Sequence, residues 1–73
     1  MKLIRIHPRD NVAVALTDLQ KGETLLVDGI EVTALEDVAR GHKIALRRIA
    51  EGEAVMKYGN AIGLARAEIP AGS

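Results

Sequence analysis

Two stretches of this chain repeat each other. Val14-Ala15-Leu16-Thr17-Asp18-Leu19-Gln20-Lys21-Gly22-Glu23 matches Ile44-Ala45-Leu46-Arg47-Arg48-Ile49-Ala50-Glu51-Gly52-Glu53 at a fixed offset, and Gly29 matches Gly59 at that same offset. A weaker third copy runs from Leu64-Ala65 through Ile69 to Gly72. The unit is a strand, an inward aliphatic residue, two polar residues, a glycine and the next strand. Repeats of this kind often stack into solenoids, but stacking needs about three or more units and polar caps. Two full copies in 73 residues fit a closed, all-β arrangement of bent hairpins better.

The residues available for a core agree. One domain of this size buries only about 60% of the surface its unfolded chain exposes. There is no cysteine, hence no disulfide and no Cys-rich metal site. With one tyrosine and no phenylalanine or tryptophan, the core must be Val, Ile, Leu and Ala, which suits thin sheet packing. Ten Lys and Arg balance ten Asp and Glu. That balance argues against a nucleic-acid module, which needs a basic face and usually aromatic platforms for bases. It leaves homo-oligomerisation, or docking on a larger partner, unopposed. No apolar run approaches the roughly 18 residues of a membrane span. Lys2 and Arg5 interrupt the apolar start and no small-residue cleavage site follows, so a cytoplasmic location is expected.

Along the chain, Lys2 to Ile6 alternates as a short strand, and His7-Pro8-Arg9-Asp10 breaks it. Asn11 to Leu16 is a clear strand, with Val12, Val14 and Leu16 on one face. Ala13 and Ala15 on the other suggest close approach of another segment. Thr17 to Gly22 reads as a tight turn with Leu19 dipping inward and Gly22 at positive φ. Asp28-Gly29 between two β-branched runs predicts a two-residue type I′ hairpin over Thr24 to Thr33. Ala34 to Val38 can form at most one helical turn. Further strands are expected at Lys43 to Leu46, Glu53 to Met56 and Asn60 to Ala65. No linker or charge block divides residues 1–73.

Several residues carry chemistry. His42 sits between Gly41 and Lys43 at a strand entrance. It can act as a general acid/base or orient a carboxylate, or its ring can simply bond a neighbouring carbonyl in a turn. Lys43 and Lys57 with Tyr58 can hold an anion, lysine as a point charge and tyrosine as donor. Alternatively the lysines snorkel over the sheet and Tyr58 plugs one end of the core. Asp10-Asn11 can present polar groups near His42 or form an ordinary Asx-turn. His7, before a proline in a turn, reads as surface. No metal-ligand spacing, no glycine-rich phosphate loop and no nucleophile–base pair is visible.

Taken together, Asp10-Asn11-Val12-Ala13-Val14-Ala15, Gly41-His42-Lys43-Ile44-Ala45-Leu46 and Lys57-Tyr58-Gly59-x-x-Ile62-Gly63-x-Ala65 resemble the N-terminal domain of the altronate and galactarate dehydratases. The small subunit of sulfolactate sulfo-lyase is similar. The resemblance runs from about Ile6 to Gly72. It implies a SAF-type β-clip domain seated on a much larger catalytic region, a lyase that removes water or sulfite from a polyhydroxy acid, usually with iron or manganese. It carries over Asp10, Asn11, Gly41, His42, Lys43, Tyr58 and Gly59. Asp10, Asn11, Lys43, Lys57 and Tyr58 are then expected to bind substrate, His42 to be catalytic, Gly41 and Gly59 to be structural, and this chain to hold no cofactor itself. Members of that family continue past the last glycine with a His-x-His-Asn-like segment, whereas this chain stops at Gly72-Ser73. It is therefore expected to be an excised domain or a lone small subunit, inactive alone. The alternative is a non-catalytic SAF-type module for carbohydrate binding or assembly.

Overall fold

The computed structural model describes all of residues 1–73. It is all-β, with seven short strands and no helix: β1 (Leu3–Ile4), β2 (Val12–Ala15), β3 (Thr24–Val27), β4 (Ile30–Thr33), β5 (Lys43–Ala45), β6 (Ala54–Lys57) and β7 (Asn60–Leu64). Strands β1, β2 and β5 form one antiparallel sheet in that order, while β3–β4 and β6–β7 are separate hairpins. The first strand is shorter than its alternation suggests. Ile6 is already half exposed, and the His7-Pro8 turn starts where the His7 N–H donates to the Asp10 carboxylate at 3.1 Å. Asp28 and Gly29 take φ of 51° and 77°, the left-handed pair that a type I′ turn requires.

The repeat is present four times rather than three. Each copy is an alanine, an aliphatic four residues on and a glycine three residues further: Ala15/Leu19/Gly22, Ala34/Val38/Gly41, Ala45/Ile49/Gly52 and Ala65/Ile69/Gly72. In every copy the residue after the glycine donates its N–H to the carbonyl three residues back: Glu23 to Gln20, His42 to Ala39, Glu53 to Ala50 and Ser73 to Pro70, at 2.9–3.2 Å. With the glycine at φ between 81° and 88°, this is the type II turn, which demands a positive φ at its third position. Ala34 to Val38 forms a bend at Leu35–Glu36 and then the bridge at Val38, not a helical turn.

The copies clasp each other in pairs. Leu19 and Val38 exchange backbone bonds, Gly22 donates to Ala34 O and Gly41 to Ala15 O, while Ala34 donates to Glu23 O and Ala15 to His42 O. The second pair repeats this bond for bond. Ile49 and Ile69 exchange, Gly52 donates to Ala65 O and Gly72 to Ala45 O, and Ala65 donates to Glu53 O and Ala45 to Ser73 O. We call these the first and second clips.

Side chains alternate across a strand, so the β2–β5 pair separates two cores. Ala13, Ala15, Ile44 and Leu46 join Leu3, Leu19, Leu25, Val27, Val32, Ala34 and Val38 on one side. Val12 and Ala45 join Ile49, Val55 and Ala65 on the other, with Ile69 half-buried against them. The small alanine face of β2 does admit close approach: Ala13 and Ala15 are each 1% exposed. Leu16, expected to share a face with Val12, lies past the end of the strand and is 42% exposed. Burying a side chain such as Leu19, Ile44 or Ile49 is worth about 1.5–3 kcal/mol each.

Candidate functional site

The exit of the second turn and the end of β6 converge on an open cavity of about 260 Å³ lined by Gly41, His42, Lys43 and Lys57. Its position follows from the first clip. The Gly41 N–H is bonded to Ala15 O, the His42 N–H to Ala39 O, and the His42 carbonyl accepts from Ala15 N, so the backbone of this corner is fixed on both sides. Lys43 then opens β5 opposite Val14. Lys57 closes β6, and its Nζ lies 5.0 Å from the centroid of the Tyr58 ring, within cation–π range. No apolar side chain and no carboxylate lines the cavity. Two ammonium groups and an exposed imidazole, without a competing acid, give the cavity a cationic, hydrogen-bond-donating lining whose chemistry suits an anion.

The turn beside it has an unusual backbone. Tyr58 is a bulky residue at φ 56°, followed by Gly59 at φ 77°. What holds it there is Asp10. One carboxylate oxygen accepts from Gly59 N at 2.7 Å, and the other from Tyr58 N at 2.9 Å and His7 N at 3.1 Å. Asp10 is 2% exposed. Burial pushes its carboxyl up, but the bonds from Gly59, Tyr58 and His7, with the nearby His7 ring, outweigh that and hold it below the usual carboxylate range. Asn11 continues the staple. Its side chain accepts from Met56 N at 2.8 Å and donates to Ala54 O at 2.9 Å, gripping two residues of β6 that face the same side.

The structure thus brings Gly41, His42, Lys43 and Lys57 together, while Tyr58 stands against Lys57 without lining the cavity, 53% exposed and so not a plug for the core. Asp10 and Asn11 lie underneath, buried and engaged with backbone. His7, read from sequence as a surface residue, is half-buried. Its ring packs on Gly59 so closely that a Cβ there would stand 2.9 Å from it, and its Nδ1 accepts from Arg9 N. Nothing in the local pattern around His7 signals its contact with Gly59, in the other half of the chain.

Lys43 is shared with a second, apolar groove of about 290 Å³, which Val12, Ala45, Ile49, Val55, Ile69 and Ser73 also line. No three His, Cys, Asp or Glu side chains are placed to hold a metal ion, and the two lysines beside His42 would oppose a dication. The residues present here do not fit iron or manganese. No helix is long and apolar enough to cross a membrane.

Comparison with known proteins agrees with this plan. A family model described as the altronate/galactarate dehydratase SAF domain matches residues 1–73. An altronate dehydratase of Escherichia coli (strain K12) is 57% identical over 72 residues, which is 99% of this chain and 14% of that protein. An altronate dehydratase of Bacillus subtilis (strain 168) is 48% identical over 69 residues, 94% of this chain and 14% of the relative. A galactarate dehydratase (L-threo-forming) of Escherichia coli (strain K12) is 39% identical over 71 residues, 96% and 13% respectively. The chain spans about a seventh of the length of these relatives. By that match over its whole length, the chain belongs to the family of altronate/galactarate dehydratase SAF domains.

Proposed function

We propose that this domain is the accessory part of a sugar-acid dehydratase and supplies one wall of its substrate site. The observation that supports it is the acid-free polar cavity in which Lys43 and Lys57 flank His42. A hexonate or hexarate presents a carboxylate next to a chain of hydroxyls. Lys43 and Lys57 take the carboxylate as point charges, and the Tyr58 hydroxyl donates from beside Lys57. Removing water beside a carboxylate needs a base for the α-proton and an acid for the departing hydroxyl. His42 has the reach for the second task, protonating the leaving oxygen. The base, and any iron or manganese, belong to the larger catalytic region. Asp10 and Asn11 serve this site from below by holding the Lys57–Tyr58 hairpin.

The test is steady-state dehydration of altronate and galactarate by the complete enzyme. His42→Ala is expected to lower kcat by about 10²–10⁴-fold with KM little changed. Lys43→Ala and Lys57→Ala are expected mainly to raise KM. Full activity in His42→Ala would remove its role. Unchanged KM in the double lysine variant would remove the carboxylate assignment and leave the domain as an assembly module.

A further inference from the structure

We propose that the outer edge of β5 is a docking edge for an extended strand of the larger dehydratase region, antiparallel to β5, entering beside Ser73 and ending at the cavity of His42. The internal symmetry of the chain carries the inference, which rests on the reading above that the domain serves a longer dehydratase.

In the first clip, the chain leaving the second turn becomes β5. It runs antiparallel along β2, with Ala15 N donating to His42 O, then Val14 opposite Lys43, Ala13 opposite Ile44 and Val12 opposite Ala45. The second clip starts the same ladder. Ala45 N donates to Ser73 O, and Gly72 N to Ala45 O. Within the described sheet, however, β5 is the edge strand and pairs only with β2. In an antiparallel ladder, backbone groups two residues apart face the same side. Ala45 faces Gly72 and Ser73, so Lys43 presents its N–H and C=O to that same open edge.

Carrying the register of the first clip onto the second puts the first residue of the incoming strand opposite Ile44, the next opposite Lys43 and the next opposite His42. Directly opposed side chains share a face. The residue opposite Lys43 therefore lies over the groove of Val12, Ala45, Ile49, Val55 and Ile69, which calls for an aliphatic side chain there. The residue opposite His42 enters the polar cavity, which calls for a hydrogen-bonding one. The groove and the cavity, joined through Lys43, become two subsites of one added strand. Relatives about seven times longer than this chain contain ample polypeptide to supply it.

Residue-resolved hydrogen exchange on the full-length protein carrying this domain tests the proposal, with altronate turnover measured on the same sample. The Ala45 amide, already bonded to Ser73 O, is the internal standard. The Lys43 amide is expected to be protected like Ala45, at least about tenfold slower than an exposed edge amide. Protection with turnover supports both readings. Protection without turnover supports the docked strand and removes the dehydratase. A Lys43 amide that exchanges freely beside a protected Ala45 overturns the docked strand whatever the turnover. Protection that disappears on dilution assigns the edge to a second copy of the protein and overturns the proposal as well.

Discussion

The two clips share one backbone diagram and are fastened by different side chains. In the first, Asp18 accepts from Arg40 N at 2.9 Å and Asp37 from Lys21 N at 2.8 Å, so each turn's carboxylate ties down the opposite turn's backbone. In the second, the corresponding positions are Arg48 and Glu68, which pair with each other at 2.5–2.6 Å on the surface. The hairpins differ too. Leu25, Val27 and Val32 of the first are buried, whereas all of β7 is exposed, with Ile62 at 52% and Leu64 at 69%, and the second hairpin is held instead by Asp10 and Asn11. The shared part is therefore the glycine turns and their backbone bonds. Side-chain fasteners are interchangeable around them, and the hairpin that brings Lys57 to the first clip's His42 corner is the one with the thinner apolar support.

Gly72→Ala should break the comparison most sharply. A Cβ at Gly72 would lie 1.9 Å from Thr33 O, where the second clip crosses the end of β4, while one at Gly22 meets nothing within 4 Å. Both carry the left-handed backbone penalty of about 1–2 kcal/mol. The clash should raise the cost at Gly72 beyond about 3 kcal/mol, read by chemical denaturation. Equal losses at the two glycines would show that the clips do not bear on each other there.

Asp10→Ala should come next. It leaves the part-buried N–H groups of Gly59, Tyr58 and His7 without their acceptor, at a cost of about 3 kcal/mol. Amide exchange should quicken at Tyr58 and Gly59 and stay slow in β3–β4. Acid should do the same reversibly. A carboxyl held below its ordinary pKa stabilises the fold above that ordinary value, and the contribution fades as pH falls through the folded one. Asp10 behaves this way, and so does Glu53, which the Arg47 hydrogen bond and the Ala50 N–H lower to about 2. The turn at Ala50–Glu53 is thus expected to loosen between about pH 4.5 and pH 2, and the Tyr58 hairpin as pH falls below the ordinary aspartate range, both visible as amide shift changes. The smallest effects separate the fasteners themselves. Asp18→Ala or Asp37→Ala should cost about 1 kcal/mol, and Arg48→Ala no more than about 0.5 kcal/mol, an increment that salt abolishes.

Where the chain's chemistry is local, its sequence is legible. Asp28-Gly29 specifies its hairpin because only certain residues accept two successive positive φ values, and Leu19 and Ile49 point inward because their spacing from the glycine is the same. Ala34-x-x-x-Val38-x-x-Gly41 repeats that spacing, but it starts directly at the end of β4 and follows the first copy at a different offset, so a search at one period passes over it. The cationic cavity is legible in part: His42 and Lys43 are adjacent, and Lys57-Tyr58 announces itself as a polar turn. That these two places meet, and that Asp10 stands beneath as a fastener, depends on pairings 48 and 49 residues apart which leave no trace in local pattern.

Those long pairings have a kinetic consequence. The His42 corner is closed by contacts within one clip, whereas the Tyr58 turn waits for Asp10 to arrive from the far end of the chain. Loop closure over such a separation costs more entropy than closing a turn, and non-local pairings are made late. The wall of the site is therefore expected to be completed late in folding, once Asp10 has closed on the Tyr58 turn and fixed Lys57 and Tyr58 in place.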